Sequence, residues 1–414
     1  MQINYILFLV SLIVLLGYLA EWVFKKINIP DTLLLIAVGF IIGPHILGYI
    51  EADSLGQLAP LFTTFTLLFL MFDGALSIDL HSFAEGIGSG ISIGSFNFFL
   101  STLVIGGVFY FLVHDVILAL MLGFSLGGVS SAFVIPMLKQ ITVNKKTYSI
   151  LTLESALTDV LSIVFALTMM ELKIMKTFEM GSVLSQIASL FFVAGVMGIL
   201  AGCLWIFIEG RLIERDTNYM MSIAYVVLLY FISEYLGGNG AIAAMSFGIV
   251  IANSKILMNL AQKFKEKRGK KKVVPEEEPA KTVNIVSRRE RMFYQEISFF
   301  LKTFFFVYIG LLLNINNLTA AAVGIGIAAS VLLLRNLTYL LTKTFKQYDR
   351  LLINSLFARG IAPAAIILMA KVKNLSIDQN IIDTVYFTIT ATIILSSLKV
   401  FIYKIKVKKR PGSQ

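Results

Sequence analysis

Apolar residues in this chain come in runs of about twenty, long enough to cross the hydrocarbon core of a bilayer as helices, with short polar stretches between them. The runs predict about 13 spans, beginning near residues 4, 32, 57, 90, 115, 146, 184, 218, 239, 294, 319, 349 and 380. The pattern is that of an all-α polytopic membrane protein. One long polar insertion interrupts it at residues 260–292, about half of it charged, without apolar periodicity and containing Pro275 and Pro279. Such a segment cannot bury a core, so it is expected to be a mobile cytoplasmic loop. Residues 1–405 then form one transmembrane domain around that loop, and 406–414 a short basic cytoplasmic tail.

Composition agrees with this pattern. Of 414 residues, 57% are hydrophobic and 14% charged, and the mean hydropathy is +0.84. An ordinary soluble domain is excluded. The net charge of +10 sits in alternate short loops (Lys25 and Lys26; Lys139, Lys145 and Lys146; Arg211 and Arg215; Lys255 to Arg291; Lys343, Lys346 and Arg350; Lys404 to Arg410). That is a signature of membrane orientation and not of nucleic-acid binding, and it predicts an outside N-terminus and a cytoplasmic C-terminus. The first apolar run continues to Trp22 before meeting Lys25 and Lys26, as a retained span would. Cys203 is the single cysteine and His45, His81 and His114 are scattered, so neither a disulfide framework nor a zinc motif can be assembled. No HExxH or GxxxxGK[ST] motif is present. An enzyme, an ATP-driven pump and a bound cofactor are therefore not expected.

A weak internal repeat points to the architecture. FLMFDGALSIDL around Gly74 resembles FFVYIGLLLNIN around Gly310, and AVGFIIGP around Gly39 resembles SFGIVIAN around Gly248. The two offsets differ by about the length of the charged loop, as expected for two six-span halves around a linking seventh span. Matching spans then run in opposite directions, an inverted repeat of the kind found in secondary transporters. Span 5, with LGGVSSAFVIP, and span 12, with ARGIAPAA, each carry helix breakers. The offset from Gly74 to Gly310 also carries Gly127 onto Pro363. Interrupted helices at related positions expose backbone groups that can face an ion.

Charge inside the spans narrows the chemistry. Leu151 to Leu167, LTLESALTDVLSIVFAL, puts Glu154 and Asp159 in one span, and carboxylates at such depth mark ion paths or proton relays. Five residues apart on a helix, they point roughly 140° apart. Ser155 and Thr158 supply neutral oxygens beside Asp159, of the type a hard cation takes in exchange for water. Asp73 and Ser130 join them as candidate ligands or supports, so the candidate metal set is Asp159, Asp73, Ser155 and Ser130. Arg335, near the middle of span 11, needs a buried carboxylate partner, and Glu154 is the candidate. Ser131 and Arg359 belong to the helix breaks. Lys302, about two and a half turns inside span 10, and Lys399, near the end of span 13, are both expected to snorkel. Asp79 is expected at the interface.

At this point the chain resembles the monovalent cation/proton antiporter superfamily, the sodium/hydrogen exchanger domain family, from about residue 5 to 405. The resemblance rests on PDTLLLIAVGFIIGP from Pro30 to Pro44, the Asp73 segment, GGVSSAFVIP, ESALTD, FFFVYIG and LFARGIAPAA. It implies a homodimer with a dimerisation part and a six-helix core in which spans 5 and 12 cross. It also implies that Asp159 binds cation and proton in turn while Glu154 pairs with Arg335. Two features depart from the family: Thr158 stands where many members have Asn or Asp, and Ser130-Ser131 where many have Thr-Asp, closer to the potassium-efflux-like branch.

The implied activity is exchange of protons for a monovalent cation, sodium first, by alternating access at Asp159. Its partners are the cation, the proton, the lipid bilayer and a second copy of the chain. A potassium/proton antiporter of the same fold is the alternative within the class. A gated cation channel or sensor without proton coupling is the rival outside it.

Overall fold

The computed structural model describes residues 3–27, 31–49, 58–76, 80–139, 141, 143–175, 180–211, 219–254, 288–343 and 345–408. The loop expected at 260–292 lies outside these residues up to 287, as do Asp79 and residues 409–414. Fifteen α-helices are described, and no strand occurs among the described residues. They are α1 (Ile3–Ile27), α2 (Asp31–Ile42), α3 (Leu58–Leu76), α4 (Leu80–Val113), α5 (Val116–Ser125), α6 (Ser131–Lys139), α7 (Lys145–Met175) and α8 (Met180–Arg211). There follow α9 (Tyr219–Tyr235), α10 (Gly240–Ala252), α11 (Arg288–Leu312), α12 (Leu318–Leu337), α13 (Gln347–Ser355), α14 (Ile361–Val372) and α15 (Gln379–Lys408). Six helical stretches are long and apolar enough to cross a membrane, and shorter apolar helices accompany them.

Helix starts follow local chemistry. Asp115, Asn239 and Asn317 cap α5, α10 and α12, their side-chain oxygens accepting from Leu118, from Ala241 and Ile242, and from Ala320. These bonds satisfy amides that a helix start leaves without a partner. Two boundaries differ from expectation. The span expected near residue 90 begins at Leu80, and the one expected near 294 begins at Arg288, so its first turn, RRER, extends the apolar helix with charge. Lys302 therefore lies about four turns from the helix start, not two and a half.

The chain forms two compact units. One comprises Met1–Thr66, Glu85–Thr177 and Phe299–Gln414, and the other Leu67–Ala84 and Phe178–Ser298. In the first, α5 packs on α7, α12 on α15, and α2 meets the second half of α11 at glycine. A Cβ on Gly39 would strike the Val307 carbonyl, and one on Gly310 would come within 2.8 Å of the Phe40 amide. Only glycine allows the two backbones that approach. In the second unit α8 packs on α10. There Gly248 makes the matching approach, its added Cβ falling 2.9 Å from the Phe72 carbonyl and 2.8 Å from Ala75 Cβ. Around it Phe72, Trp205, Tyr225, Phe247 and Tyr294 form an aromatic cluster.

Two helical segments of the first unit are interrupted. Residues 126–130 separate α5 from α6, and 356–360 separate α13 from α14. The second break precedes Pro363 rather than centring on it. Pro363 is the third residue of α14, in the first turn, where a missing N–H costs nothing.

Candidate functional site

An interrupted helix exposes backbone groups that must find partners where there is no water. At the first break, Val129 N donates to Thr158 Oγ1 at 3.0 Å and Ser130 N to the Ala358 carbonyl at 2.9 Å. The carbonyls of Gly127 (2.7 Å) and Gly128 accept from Arg359 Nη1. At the second break, Arg359 N donates to Thr392 Oγ1 at 3.0 Å and Phe357 N to Ser396 Oγ at 3.3 Å. The last carbonyls of α13 are taken in turn: Ile353 by Arg335 Nε (3.0 Å) and Nη2 (2.8 Å), Asn354 by Lys399 Nζ (3.0 Å), and Ser355 by Ser396 Oγ (2.6 Å). The two breaks thus touch through Ser130 and Ala358. A Cβ on Gly360 would collide with the Ser130 side chain, and one on Gly128 would lie 2.6 Å from the Thr158 carbonyl.

α7 presents Glu154 and Asp159 to different neighbours, as their angular separation requires. Glu154, 1% exposed, forms a two-oxygen ion pair with Arg335, 3% exposed, Oε2 accepting from Nη2 at 2.9 Å. Asn97 Nδ2 donates to Glu154 Oε1 at 3.1 Å, and its own oxygen accepts from Thr338 Oγ1 at 2.9 Å. Both oxygens of Glu154 are engaged, so the buried pair is internally satisfied. Asp159 is part-buried and faces the first break, where Ser131 donates to Oδ2 through its amide at 2.8 Å and also through its hydroxyl. No donor from a described residue occupies Oδ1. Arg359, fully buried, interacts electrostatically with Asp159 and Glu154. Its Nη2 donates to Ser101 Oγ at 3.0 Å and its Nε has no partner among the described residues. A cavity of about 10 Å³ lined by Asn97, Ser101, Arg335 and Arg359 has room for one water.

The residues singled out from sequence fall into distinct places. Thr158 is buried and holds the Val129 amide, while Ser155 donates to the Thr152 carbonyl of its own helix at 3.1 Å. The serine that reaches Asp159 is Ser131, whereas Ser130 packs against Gly360 and Ala358. Asp73 lies on α3 in the second unit, separate from the unit that holds Asp159. Lys302 makes no hydrogen bond or ion pair with a described residue. Lys399 does not snorkel outward, because its ammonium is turned inward onto Asn354. Asn97, Ser101, Thr338, Thr392 and Ser396 escaped the sequence reading. So did Asp383, 1% exposed, whose carboxylate accepts from Asn317 and Gln379, both at 2.8 Å, at the start of α15. A carboxylate within NIIDTVYF was the available signal for Asp383. Among the described residues no three His, Cys, Asp or Glu side chains converge, so a cation here would rest on Asp159 with hydroxyl and carbonyl oxygens.

Residues 11–405 match the family model described as sodium/hydrogen exchanger, transmembrane. The chain belongs to the sodium/hydrogen exchanger family. Its members are secondary transporters and not enzymes, and the ions they move are substrates, with no cofactor required. Among curated relatives, the Na(+)/H(+) antiporter NhaH of Halobacillus aidingensis is 26% identical over 58% of this chain and 62% of its own length. The K(+)/H(+) antiporter NhaP2 of Shewanella oneidensis is 22% identical over 61% of this chain and 44% of its own. The chain thus spans about half the length of the curated relatives it matches. The sodium proton antiporter MjNhaP1 of Methanocaldococcus jannaschii, solved at pH 8, shares the fold, with a TM-score of 0.75 over 96% of this chain and 100% of that one at 20% identity. The exchanger fold and a multi-pass membrane protein follow.

Proposed function

We propose that this chain is a secondary antiporter that exchanges protons for a monovalent cation, sodium first, by alternating access at Asp159. The observation that carries the reading is the state of that carboxylate. Oδ2 is fixed by Ser131 at the meeting of two helix breaks, while Oδ1 has no donor from a described residue. A carboxylate in a poorly solvated site is stabilised by a proton or by a cation, so the two compete for one position. If the site changes sides only when one of them is bound, exchange is obligatory. Glu154 is neutralised by Arg335 and acts as scaffold. Thr158 and Ser130 hold the breaks, and Ser131 and Ser155 are the proposed hydroxyl ligands. Asp73 remains a proposed cation-binding residue.

The finer architecture belongs to the same proposal: 13 spans in two inverted six-helix halves, with spans 5 and 12 crossing at their breaks. Exchange of partners between the halves supports it. Gly39 on α2 meets α11 at Gly310, and Gly248 on α10 meets α3 beside Gly74, as the repeat requires. An outside N-terminus is supported by Lys173 and Lys373, on the sparsely basic side, each being paired, with Asp115 and Glu171. This leaves the excess positive charge on the other side. A homodimer, and a cytoplasmic loop at 260–292 within a domain spanning 1–405, complete the proposal.

The potassium reading keeps its place because relatives named for K(+)/H(+) antiport match as well as those named for sodium. Reconstitution of the full chain into vesicles with an internal pH dye, adding sodium, potassium or lithium in turn, tests both. Cation-driven proton flux with sodium alone supports the first reading and with potassium alone the second. Cation current without proton flux would replace antiport by a channel.

A further inference from the structure

The half-helix α13 ends inside the protein with three successive carbonyls, Ile353, Asn354 and Ser355, pointing past its last turn. A helix C-terminus carries a partial negative charge and needs a cation as well as donors. Two cations reach it, Arg335 and Lys399. Arg335, however, has its charge balanced by the two-oxygen pair with Glu154. Among the described residues, the uncompensated positive charge at this end of α13 is therefore Lys399. At the first break Arg359 stands in the same relation to the end of α5, through the carbonyls of Gly127 and Gly128.

Lys399 does not act alone. Thr384, Thr388, Thr392 and Ser396 recur every four residues on α15, all at most 3% exposed, and so form one stripe along the helix. Its last two hydroxyls accept from the amides of Arg359 and Phe357, and Ser396 also donates to the Ser355 carbonyl. One turn further, Lys399 closes the row on Asn354, its ammonium 5.5 Å from the centre of the Phe357 ring. Every second residue of the segment from Ser355 to Arg359 is thus read by α15.

We infer that Lys399 is a positioning residue for the second break: it supplies the counter-charge of the α13 terminus and, with Thr392 and Ser396, locks residues 354–359 to α15. The break, α13 and α15 then keep one register while Asp159 changes sides. The transport consequence rests on the antiporter reading, but the locking itself does not.

Two measurements on the full-length protein separate those claims. Amide hydrogen exchange over residues 356–360 is slow in the wild type and rises roughly tenfold in Lys399→Met, the size commanded by a charge at a partly buried helix end. Lys399→Arg restores it, and Ser396→Ala loosens the same amides by an independent route. In vesicles, Lys399→Met lowers the maximal cation-driven proton flux while leaving the half-saturating cation concentration unchanged, and Lys399→Arg recovers most of the flux. Unchanged amide exchange in both Lys399→Met and Ser396→Ala overturns the proposal whatever the flux. So does Lys399→Arg behaving like Lys399→Met. A wild type without cation-driven flux but with the expected amide pattern removes the antiporter reading and leaves the lock standing. Should Lys399→Met not fold, Lys399→Gln and Ser396→Ala carry the same test.

Discussion

Ser131 holds Asp159 by a single oxygen, its amide and its hydroxyl both donating to Oδ2 from the first turn of α6. Folding therefore fixes the carboxylate without filling it. In the proposed mechanism the hydroxyl rotates to offer a lone pair to a cation at Oδ1, which the amide cannot do. Ser131→Ala should keep the fold and raise the half-saturating cation concentration about fivefold, corresponding to the loss of roughly one net hydrogen bond. Initial rates of proton flux against cation concentration measure this.

Glu154 and Arg335 form a buried pair that removal of either partner leaves uncompensated. Glu154→Gln or Arg335→Met should each cost about 3–5 kcal/mol, and the double variant less than the sum. Thermal unfolding in detergent checks the cycle. Additive losses would mean the two side chains do not act together.

The close approach of the first break to α7 leaves no room for a methyl group. In Gly128→Ala the new Cβ would meet the Thr158 carbonyl and Ser162 Oγ, and backbone cannot step aside as a side chain can. A loss of about 1–3 kcal/mol and of most transport is expected, read by unfolding temperature and flux together.

Outside the spans, Asp115 caps α5 and pairs with Lys173. Partial burial pushes its carboxyl up, but the Leu118 amide and Lys173 outweigh this and hold it below the ordinary 3.8. Its folded value being the lower one, the stabilisation is complete above 3.8 and is lost as pH falls through the depressed value. Asp115→Asn should therefore lose stability at neutral pH and show a shallower acid limb between 3.8 and the depressed value in melts taken across acidic pH.

Ionisable residues in apolar runs made Glu154, Asp159 and Arg335 legible in the sequence, because few reasons exist to place a charge there. The breaks were legible through Gly127, Gly128 and Gly360. Pro363 misled by position, since a first-turn proline interrupts nothing. The distance of Lys302 from its helix start was underestimated because RRER looked too polar to belong to the helix that contains it. Asn97, Thr338, Thr392 and Ser396 were illegible for a different reason. Neutral polar residues are common in membrane helices, and what distinguishes these four is a partner reached only through the fold, often a backbone atom that carries no sequence signal.

The most direct measurement is proton flux in vesicles containing Asp159→Asn, beside wild type, with protein folding checked in detergent. The substitution keeps the shape and removes the titratable charge. The account predicts a folded protein with no cation-driven proton flux for sodium, potassium or lithium. Flux at the wild-type rate would contradict it.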